Sequence, residues 1–178
     1  MFRDRIKRKK VLPIFFETYV QLVYDQGSLY ATSSELEAIV LTYEDRKGNS
    51  KFVYLIKKIK NILKALKALK YISIKEFLRG LRILNKMDSS WIYEKINEEF
   101  IHLDMIAVKK EYKGQKLSSK LIRYIIEESK RRKIFCTLET HNLKNVGIYN
   151  HFGFEIVEVI EIPDSNLKQY CMVYKDKS

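Results

Sequence analysis

The second half of the chain carries the clearest pattern of apolar and polar positions. Residues 100–108 form an apolar run of strand length, and residues 117–132 repeat apolar side chains at the spacing of one helical face. A strand–helix–strand unit with one crossover indicates a parallel pair within a mixed sheet. The elements predicted in this half are strands at 100–108, 134–140, 154–162 and 168–174, helices at 117–132 and 143–151, and a turn at 163–166.

The first half alternates helical and strand patterns and contains no chemical motif. A helix predicted from residue 14 stops at Gly27, and Ser73 with Glu76 forms the capping-box pattern that begins another helix. Ser50 is the predicted N-cap of a long amphipathic helix. The elements predicted here are helices at 14–26, 51–69, 73–84 and 90–99, and strands at 28–32 and 36–43. The fold class is therefore α/β (α+β) with a central sheet, and we expect one domain over residues 1–178.

The composition indicates the size of the core and the cellular location of the protein. With 178 residues and 46% hydrophobic side chains, the chain can bury a substantial core. Pro13 interrupts the apolar run at 11–16, and no stretch approaches the roughly 20 residues of a membrane span or the layout of a signal peptide. Cys136 and Cys171 lie in apolar segments, which predicts two reduced thiols. We therefore expect a cytoplasmic protein with no membrane partner.

The net charge of +12 is compatible with nucleic acid, a membrane surface or an anionic small ligand as partner. Many basic residues fall in the first ten positions and on the predicted helix at 51–69, where lysines form a solvated face. Since no DNA- or RNA-reading motif accompanies them, we expect no nucleic-acid partner. Salt-dependent binding to DNA would favour that alternative.

The turn between strand 100–108 and the next helix has features of an anion site. Gly114 lies in the turn, and Ser118 and Ser119 lie in the first helical turn. Backbone N–H groups at a helix start lack internal partners and lie at the positive end of the helix dipole, so they suit a phosphate. Lys113 and Lys116 add positive charge. Gly and Ser also begin many helices for capping reasons alone, so the turn leaves both interpretations open.

The short helix near residue 145 carries two polar side chains on one face. Asn142 is its predicted N-cap, and Asn145 and Tyr149 are four residues apart. Gly153 ends the helix, and Phe154 follows it. Tyr149 could fill the core with its hydroxyl at the surface, or it could present that hydroxyl as an acid to a reacting group.

Together, in this order and at this distance, the two segments resemble the GNAT superfamily of acyl-CoA N-acyltransferases. Its second motif, Asn-x-x-x-Tyr-x-x-x-Gly-Phe, is matched in full by Asn145, Tyr149, Gly153 and Phe154. The clear resemblance covers about residues 100–175, and looser similarity at both ends suggests the bacterial puromycin-acetyltransferase-like type. It implies a twisted, mostly antiparallel central sheet with a splayed parallel pair, flanked by helices.

The first family motif, Val-x-x-x-x-(Gln/Arg)-x-x-Gly-x-(Gly/Ala), is matched less well. Lys113 stands where the family has Gln or Arg, Lys116 replaces the middle glycine, and Ser118 replaces Gly or Ala. A Cβ at position 116 could crowd the approach to a pyrophosphate and weaken cofactor binding. The family fold also opens with a strand before its first helix, and few residues precede Ile14 to form it.

The resemblance implies acetyl-CoA as acyl donor, and no metal site is expected. The backbone of residues 106–108 would pair with the pantetheine arm, and the Ile106 N–H would polarise the thioester carbonyl. Tyr149 would protonate the departing thiolate, and Asn145 would position the cofactor. The expected cofactor-binding residues are Met105, Ile106, Ala107, Val108, Lys113, Gly114, Gln115, Lys116, Leu117, Ser118, Ser119, Asn142, Asn145 and Tyr149.

The general base is expected on the same strand. A period of two places His102, Asp104 and Ile106 on one side, and some family members keep a base at the position of His102. A histidine has a suitable pKa to deprotonate an ammonium through a water, although a strand histidine can also be a packing residue. Glu139 and Glu37 are the next candidates.

The implied function is direct transfer of an acetyl group from acetyl-CoA to a primary amine. The alternative is a non-catalytic acyl-CoA-binding protein on the same fold, which the departures at Lys116 and Ser118 make possible. Residues 1–99 would form the acceptor side and residues 100–175 the CoA side. The expected acceptor is a small-molecule amine or a peptide, and the expected assembly is a monomer or a homodimer.

Overall fold

The computed structural model describes residues 5–25, 27–44, 63, 65–86, 89–96, 98–162 and 166–175. Most of the helix predicted at 51–69, with its N-cap Ser50, lies outside the described residues, as does most of the turn predicted at 163–166. The helices are α1 (Arg5–Tyr24), α2 (Ile74–Lys86), α3 (Ser90–Lys95), α4 (Leu117–Arg132) and α5 (Leu143–His151), with short 3₁₀ helices at Leu66–Lys70 and Lys110–Tyr112. The strands are β1 (Gly27–Ala31), β2 (Ala38–Glu44), β3 (Phe100–Val108), β4 (Phe135–Thr140), β5 (Phe154–Glu161) and β6 (Lys168–Tyr174).

The six strands form one sheet in the order β1-β2-β3-β4-β6-β5. The pair β3–β4 is parallel, and every other neighbouring pair is antiparallel. Helix α4 provides the crossover between the two parallel strands, because a parallel connection must return the chain to the same edge of the sheet. The predicted mixed α/β sheet, mostly antiparallel with a parallel pair, is confirmed.

Two apolar cores lie on opposite faces of this sheet. On one face, the apolar stripe of α4 packs against Ile101, Leu103 and Leu138 of the two parallel strands. On the other face, Trp91 and Ile92 of α3 pack with residues of β3 and β6 such as Phe100, Cys171 and Val173. The alternation along β3 therefore sends neighbouring side chains into different cores.

Helix α1 begins earlier than its predicted start at residue 14 and includes Pro13. The basic residues before Pro13 show no apolar periodicity, so the sequence pattern does not indicate a helix there. Val11 is buried against Ala68 and Ile72, which lie in and after the first 3₁₀ helix. This packing stabilises the N-terminal half of α1, because the burial of apolar side chains can offset the free-energy cost of the backbone hydrogen bond that proline removes.

The local signals at the other helix ends are largely confirmed. Ser73 Oγ lies 3.2 Å from the Glu76 backbone N, and Glu76 Oε2 accepts the Ser73 N–H at 2.9 Å, as a capping box requires. Helix α3 is shorter than predicted and ends at Lys95. Gly153 has a φ of +97°, and a Cβ there would lie 2.9 Å from the ring of Tyr174, so the turn into β5 requires glycine.

The strand predicted at 36–43 also needs a correction. Leu36 has a φ of +54° and lies in the turn before β2, which begins at Ala38. Elsewhere, Cys136 and Cys171 are buried free thiols, as the sequence predicts. Among the described residues, no helix is both long enough and apolar enough to cross a bilayer.

Candidate functional site

The strands β3 and β4 are joined over only part of their length. Phe100–Leu103 of β3 pair with Phe135–Leu138 of β4, and the pairing stops there. Beyond this point β3 continues along β2, while β4 continues along β6. The sheet therefore opens between the C-terminal ends of the two parallel strands, which is where the splayed pair is expected.

The backbone of β3 turns hydrogen-bonding groups toward this opening. Lys109 N donates to Glu37 O at 2.8 Å, so the N–H of Lys109 faces β2. In an antiparallel ladder this direction alternates, so Ala107 also faces β2 whereas Ile106 and Val108 face away from it, on the side of β4. Since β4 does not pair with residues 106–108, these two N–H groups are available to a ligand in the opening.

The turn before α4 has the backbone shape of a phosphate cradle. Gly114 and Lys116 both have positive φ angles, +84° and +57° respectively. The first i→i−4 bond of α4 runs from Lys120 N to Lys116 O at 3.1 Å, so the N–H groups of Leu117, Ser118 and Ser119 precede the intrahelical ladder. Lys116, the N-cap, makes no side-chain cap. The donors at this helix start are therefore not used by a capping side chain.

The conformation at Lys116 accounts for the glycine that the family motif has there. A left-handed φ costs a non-glycine residue of order 1 kcal/mol, and glycine avoids this cost. The lysine is therefore placed in a strained backbone conformation, and the crowding of a pyrophosphate by its Cβ stays a prediction. The Lys116 side chain is exposed, as are Lys113, Gly114 and Gln115, so the positive charges flank the cradle. The residues present fit a pyrophosphate bound by backbone N–H groups.

Helix α5 presents Asn145 and Tyr149 as the sequence predicts. Asn142 caps the helix through its Oδ1, which accepts the Lys144 N–H at 3.0 Å. Asn145 Nδ2 lies 3.4 Å from Thr140 Oγ1 at the end of β4. Tyr149 is half-buried against the α4 core, and this burial raises the pKa of its phenol. The hydroxyl therefore stays protonated at neutral pH, as an acid must.

His102 does not have the properties of a general base. The ring is 2% exposed, its Nδ1 lies 2.8 Å from Thr137 Oγ1, and it packs beside the ring of Tyr43. Burial lowers the pKa of His102 to about 3, because the charged imidazolium would lose its hydration. The structure opposes the expected catalytic role, and it favours the alternative of a packing residue.

A β-bulge changes which side chains of β3 share one face of the sheet. Leu103 pairs with Thr42 and Met105 pairs with Leu41, so Asp104 is an extra residue on β3. Ile106 consequently packs against the α4 core with Leu103, whereas His102 and Asp104 lie on the opposite face. The expectation that His102, Asp104 and Ile106 share one side is wrong, because the bulge reverses the alternation.

The two glutamates proposed as alternative bases have different surroundings. Glu139 of β4 lies on the face of the sheet that α3 covers, where its Oε1 accepts a hydrogen bond from Trp91 Nε1. Glu37 lies in the β1–β2 turn, where Thr32 and Ser33 donate hydroxyl hydrogen bonds to its Oε2 at 2.8 and 2.7 Å. These bonds, led by that of Ser33, lower the pKa of Glu37 and make it a weaker base.

Sequence reasoning missed the pair formed by Tyr19 and Asp104. The Tyr19 hydroxyl donates a 2.7 Å hydrogen bond to Asp104 Oδ1, across the face opposite to α4. Asp104 is the one acidic residue within the apolar run at 100–108, and this signal could have marked it. Tyr19 carries no such signal, since its position fits the apolar stripe of α1 equally well.

The comparisons with known proteins agree with this geometry. Residues 80–154 match the family model described as the Acetyltransferase (GNAT) family. No curated protein matches the chain in sequence.

Solved structures with similar folds are acetyltransferases of low sequence identity. The histone acetyltransferase HPA2 and related acetyltransferase from Corynebacterium glutamicum has a TM-score of 0.58 and 15% identity, with 92% of this chain and 73% of that chain covered. Arylalkylamine N-acetyltransferase 2 from Aedes aegypti has a TM-score of 0.56 and 14% identity, with 94% and 85% covered. Naa50 of Arabidopsis thaliana, in complex with a bisubstrate analogue of CoA, has a TM-score of 0.39 and 18% identity, with 46% and 58% covered. The first two likenesses establish the shared fold.

Proposed function

Because residues 80–154 match the Acetyltransferase (GNAT) family model, we propose that this chain is a GNAT acetyltransferase that transfers the acetyl group of acetyl-CoA to a primary amine. The observation that carries this proposal is the opening between β3 and β4. It combines free backbone donors on one strand with an uncapped helix start immediately after that strand. A ligand that carries both a pyrophosphate and an amide-containing arm would satisfy both groups of donors.

The residues that would hold acetyl-CoA come from two consecutive elements. The N–H groups of Leu117, Ser118 and Ser119 would bind the pyrophosphate, with Lys113 and Lys116 as flanking positive charges. The backbone of residues 106–108 would bind the pantetheine arm as an added strand. When bound, acetyl-CoA supplies an activated acetyl thioester.

Two groups of the chain would act on the reacting atoms. The Ile106 N–H would donate a hydrogen bond to the thioester carbonyl oxygen and stabilise negative charge there. The Tyr149 hydroxyl would donate its proton to the sulfur that leaves. Its raised pKa supports this assignment, because an acid that ionised early would have no proton to give.

The acceptor would approach from the face that carries α1 and α3. This assigns residues 1–99 to the acceptor side within a single domain over residues 1–178. The acceptor would be a small-molecule amine or a peptide. The buried free thiols Cys136 and Cys171 are compatible with a reducing, cytoplasmic setting.

A non-catalytic acyl-CoA-binding protein is the second candidate, and the strained Lys116 favours it. If the strain prevents the N–H groups from reaching productive positions, the chain would bind the cofactor loosely and position the thioester poorly. The intact Asn145 and Tyr149 favour the enzyme, since a binding protein has no need of an acid beside the sulfur.

Ligand-induced stabilisation tests the cofactor site first. Acetyl-CoA or CoA at 100 times its Kd would add about 2.7 kcal/mol to the unfolding free energy. This corresponds to a rise of about 5–11 °C in Tm for a domain of this size, with ATP as the anion control. No rise at millimolar acetyl-CoA would contradict the proposal.

A transfer assay then separates the enzyme from the binding protein. Release of free CoA is followed with the full chain, acetyl-CoA and a panel of primary amines and short peptides with free N-termini. Turnover with at least one amine supports the enzyme. Binding of acetyl-CoA without turnover across the whole panel would favour the binding protein.

A further inference from the structure

Asp104 lies where the sheet opens and faces the acceptor side. It is the bulged residue of β3, directly after the last residue that pairs with β4 and two residues before Ile106. Its Oδ1 accepts the hydrogen bond of Tyr19, so the carboxyl group points toward α1. This position is next to the expected thioester site but on the face opposite to α4.

One oxygen of this carboxyl group lacks a hydrogen-bond partner in the described ranges of the chain. Asp104 Oδ2 is buried, and no hydrogen-bond donor among the described residues contacts it. Buried carboxylate oxygens are nearly always hydrogen-bonded, because their lost hydration is costly. A ligand with N–H donors at this position would remove that cost.

The side chains around Asp104 favour the binding of a cation next to its carboxyl group. Tyr19 faces it from α1, Tyr43 from β2 and Glu139 from β4, while His102 lies on the same face of β3 and is held neutral by burial. Burial raises the pKa of Asp104 to about 6, and the Tyr19 hydrogen bond lowers it only in part. No lysine or arginine of the described residues is among the causes of this pKa shift. In the part of the chain that the structure describes, no positive charge therefore compensates this carboxyl group.

We propose that Asp104 binds the ammonium group of the acceptor through Oδ2 and takes its proton before transfer. This inference rests on the proposed function and assigns the base that His102 does not provide. A primary ammonium matches the position, since it brings both a positive charge and N–H donors.

Each proton that moves in this reaction has a donor and an acceptor among the groups described above. Asp104 takes one proton from the ammonium, and the freed amine nitrogen forms a bond to the thioester carbonyl carbon. The carbon–sulfur bond then breaks, and Tyr149 gives its proton to the sulfur. The second proton of the nitrogen restores Tyr149, and Asp104 releases its own proton to water. Each turnover therefore yields an amide, free CoA and one proton.

Tyr19 acts as a positioning residue in this scheme. Its hydrogen bond fixes Oδ1, so that Oδ2 remains directed at the acceptor. Because this bond lowers the pKa of Asp104, Tyr19→Phe is expected to raise that pKa and to move the acid limb of kcat/KM to higher pH. A merely structural role for Tyr19 would not move the pH profile.

The test follows the Asp104 carboxyl group in the full chain with CoA added. Aspartate labelled with ¹³C at Cγ is titrated by NMR, and the Asp104 signal is identified by its loss in Asp104→Asn. The amine probes are n-butylammonium, 1,4-diaminobutane and phenethylammonium. We expect at least one of them to shift the Asp104 signal and to lower its midpoint, while the signal of Asp25, near the end of α1, stays unchanged.

Kinetics provide the second readout. Asp104→Asn is expected to lower kcat/KM for the amine by about 100-fold or more, within the range of general-base effects, and to remove the acid limb. Its KM for acetyl-CoA and its stabilisation by CoA should be unchanged, and the matched variant Asp25→Asn should behave as wild type. Unchanged kcat/KM and pH profile in Asp104→Asn would overturn the assignment while leaving the proposed function intact.

Failure of the proposed function gives a different pattern. In that case wild-type protein shows neither stabilisation by acetyl-CoA nor CoA release. The NMR titration still decides the binding role of Asp104, because an amine-induced shift requires no turnover. If none of the three amines shifts the Asp104 signal, the inference is overturned.

Discussion

The Tyr19 hydroxyl lies 2.7 Å from Asp104 Oδ1, although the two residues are 85 positions apart in the chain. This bond connects α1 to the bulge of β3, beside the end of the β3–β4 pairing. The hydrogen bond helps to keep the Asp104 carboxyl group buried among apolar side chains, where a carboxyl group without a partner would favour exposure to water. The first helix therefore helps to shape the opening that the second half of the chain creates.

The burial of Asp104 makes a prediction about stability and pH. Its folded-state pKa of about 6 lies above the usual 3.8, so between these values the folded chain binds more protons than the unfolded chain. Stability is therefore lost as pH rises through this window. We expect Asp104→Asn to raise the unfolding free energy by about 2–3 kcal/mol at pH 7.5 and to have little effect at pH 3.5. Urea unfolding at both values checks this, with Asp25→Asn as control. Equal effects at the two pH values would contradict it.

The two lysines with positive φ at the ends of α4 allow a matched comparison. Lys116 precedes the helix with a φ of +57°, and Lys133 follows it with a φ of +54°. We expect either change to glycine to relieve backbone strain, which raises the unfolding free energy by up to about 1 kcal/mol and Tm by about 2–4 °C. Thermal unfolding of both variants measures this effect.

Cofactor affinity distinguishes these two positions. Lys116→Gly is expected to tighten acetyl-CoA binding, because the cradle forms with less strain, whereas Lys133→Gly should leave the Kd unchanged. Calorimetric titration with CoA gives both values. Weaker binding in Lys116→Gly would show that the lysine charge contributes more than the strain removes.

Tyr149 is expected to matter for turnover more than for binding. Tyr149→Phe keeps the ring packed against Phe154, whose centroid is 6.0 Å away, and removes only the hydroxyl. We expect kcat to fall by roughly 10- to 100-fold with little change in the Kd for acetyl-CoA, since proton donation occurs only at the sulfur. Tyr124→Phe, on the exposed part of α4, is the matched control. An unchanged kcat in Tyr149→Phe would remove this residue from the chemistry.

The capping box of α2 predicts a stability effect without a functional one. Ser73→Ala removes the hydroxyl that accepts the Glu76 N–H and should lower the unfolding free energy by about 1 kcal/mol. Glu76→Gln keeps the reciprocal bond to Ser73 N and should cost less. Chemical denaturation compares the two variants. A larger loss in Glu76→Gln would indicate that the exposed ion pair with Lys7 is the stronger interaction.

The sequence alone determined most of the second half of the fold. The bounds of β3, α4, α5 and β6 agree with the hydrophobic pattern, because each element is marked by an apolar run or an apolar stripe of matching length. The glycine turn after β3 and the helix that carries Asn145 and Tyr149 were predictable for the same reason. These features depend on residues within one or two turns of each other.

The tertiary structure decided what depends on distant contacts. The bulge at Asp104 changes which face of the sheet the later residues of β3 point to. It arises from the register between β3 and β2, and the apolar pattern of β3 alone does not reveal that register. The start of α1 depends on the burial of Val11 against the segment near Ala68. The unsuitability of His102 as a base follows from the burial of its ring, which removes the water that would hydrate a charged imidazolium. Sequence thus specified the elements, whereas packing between them selected which side chains face the opening, because burial and pairing are properties of several segments at once.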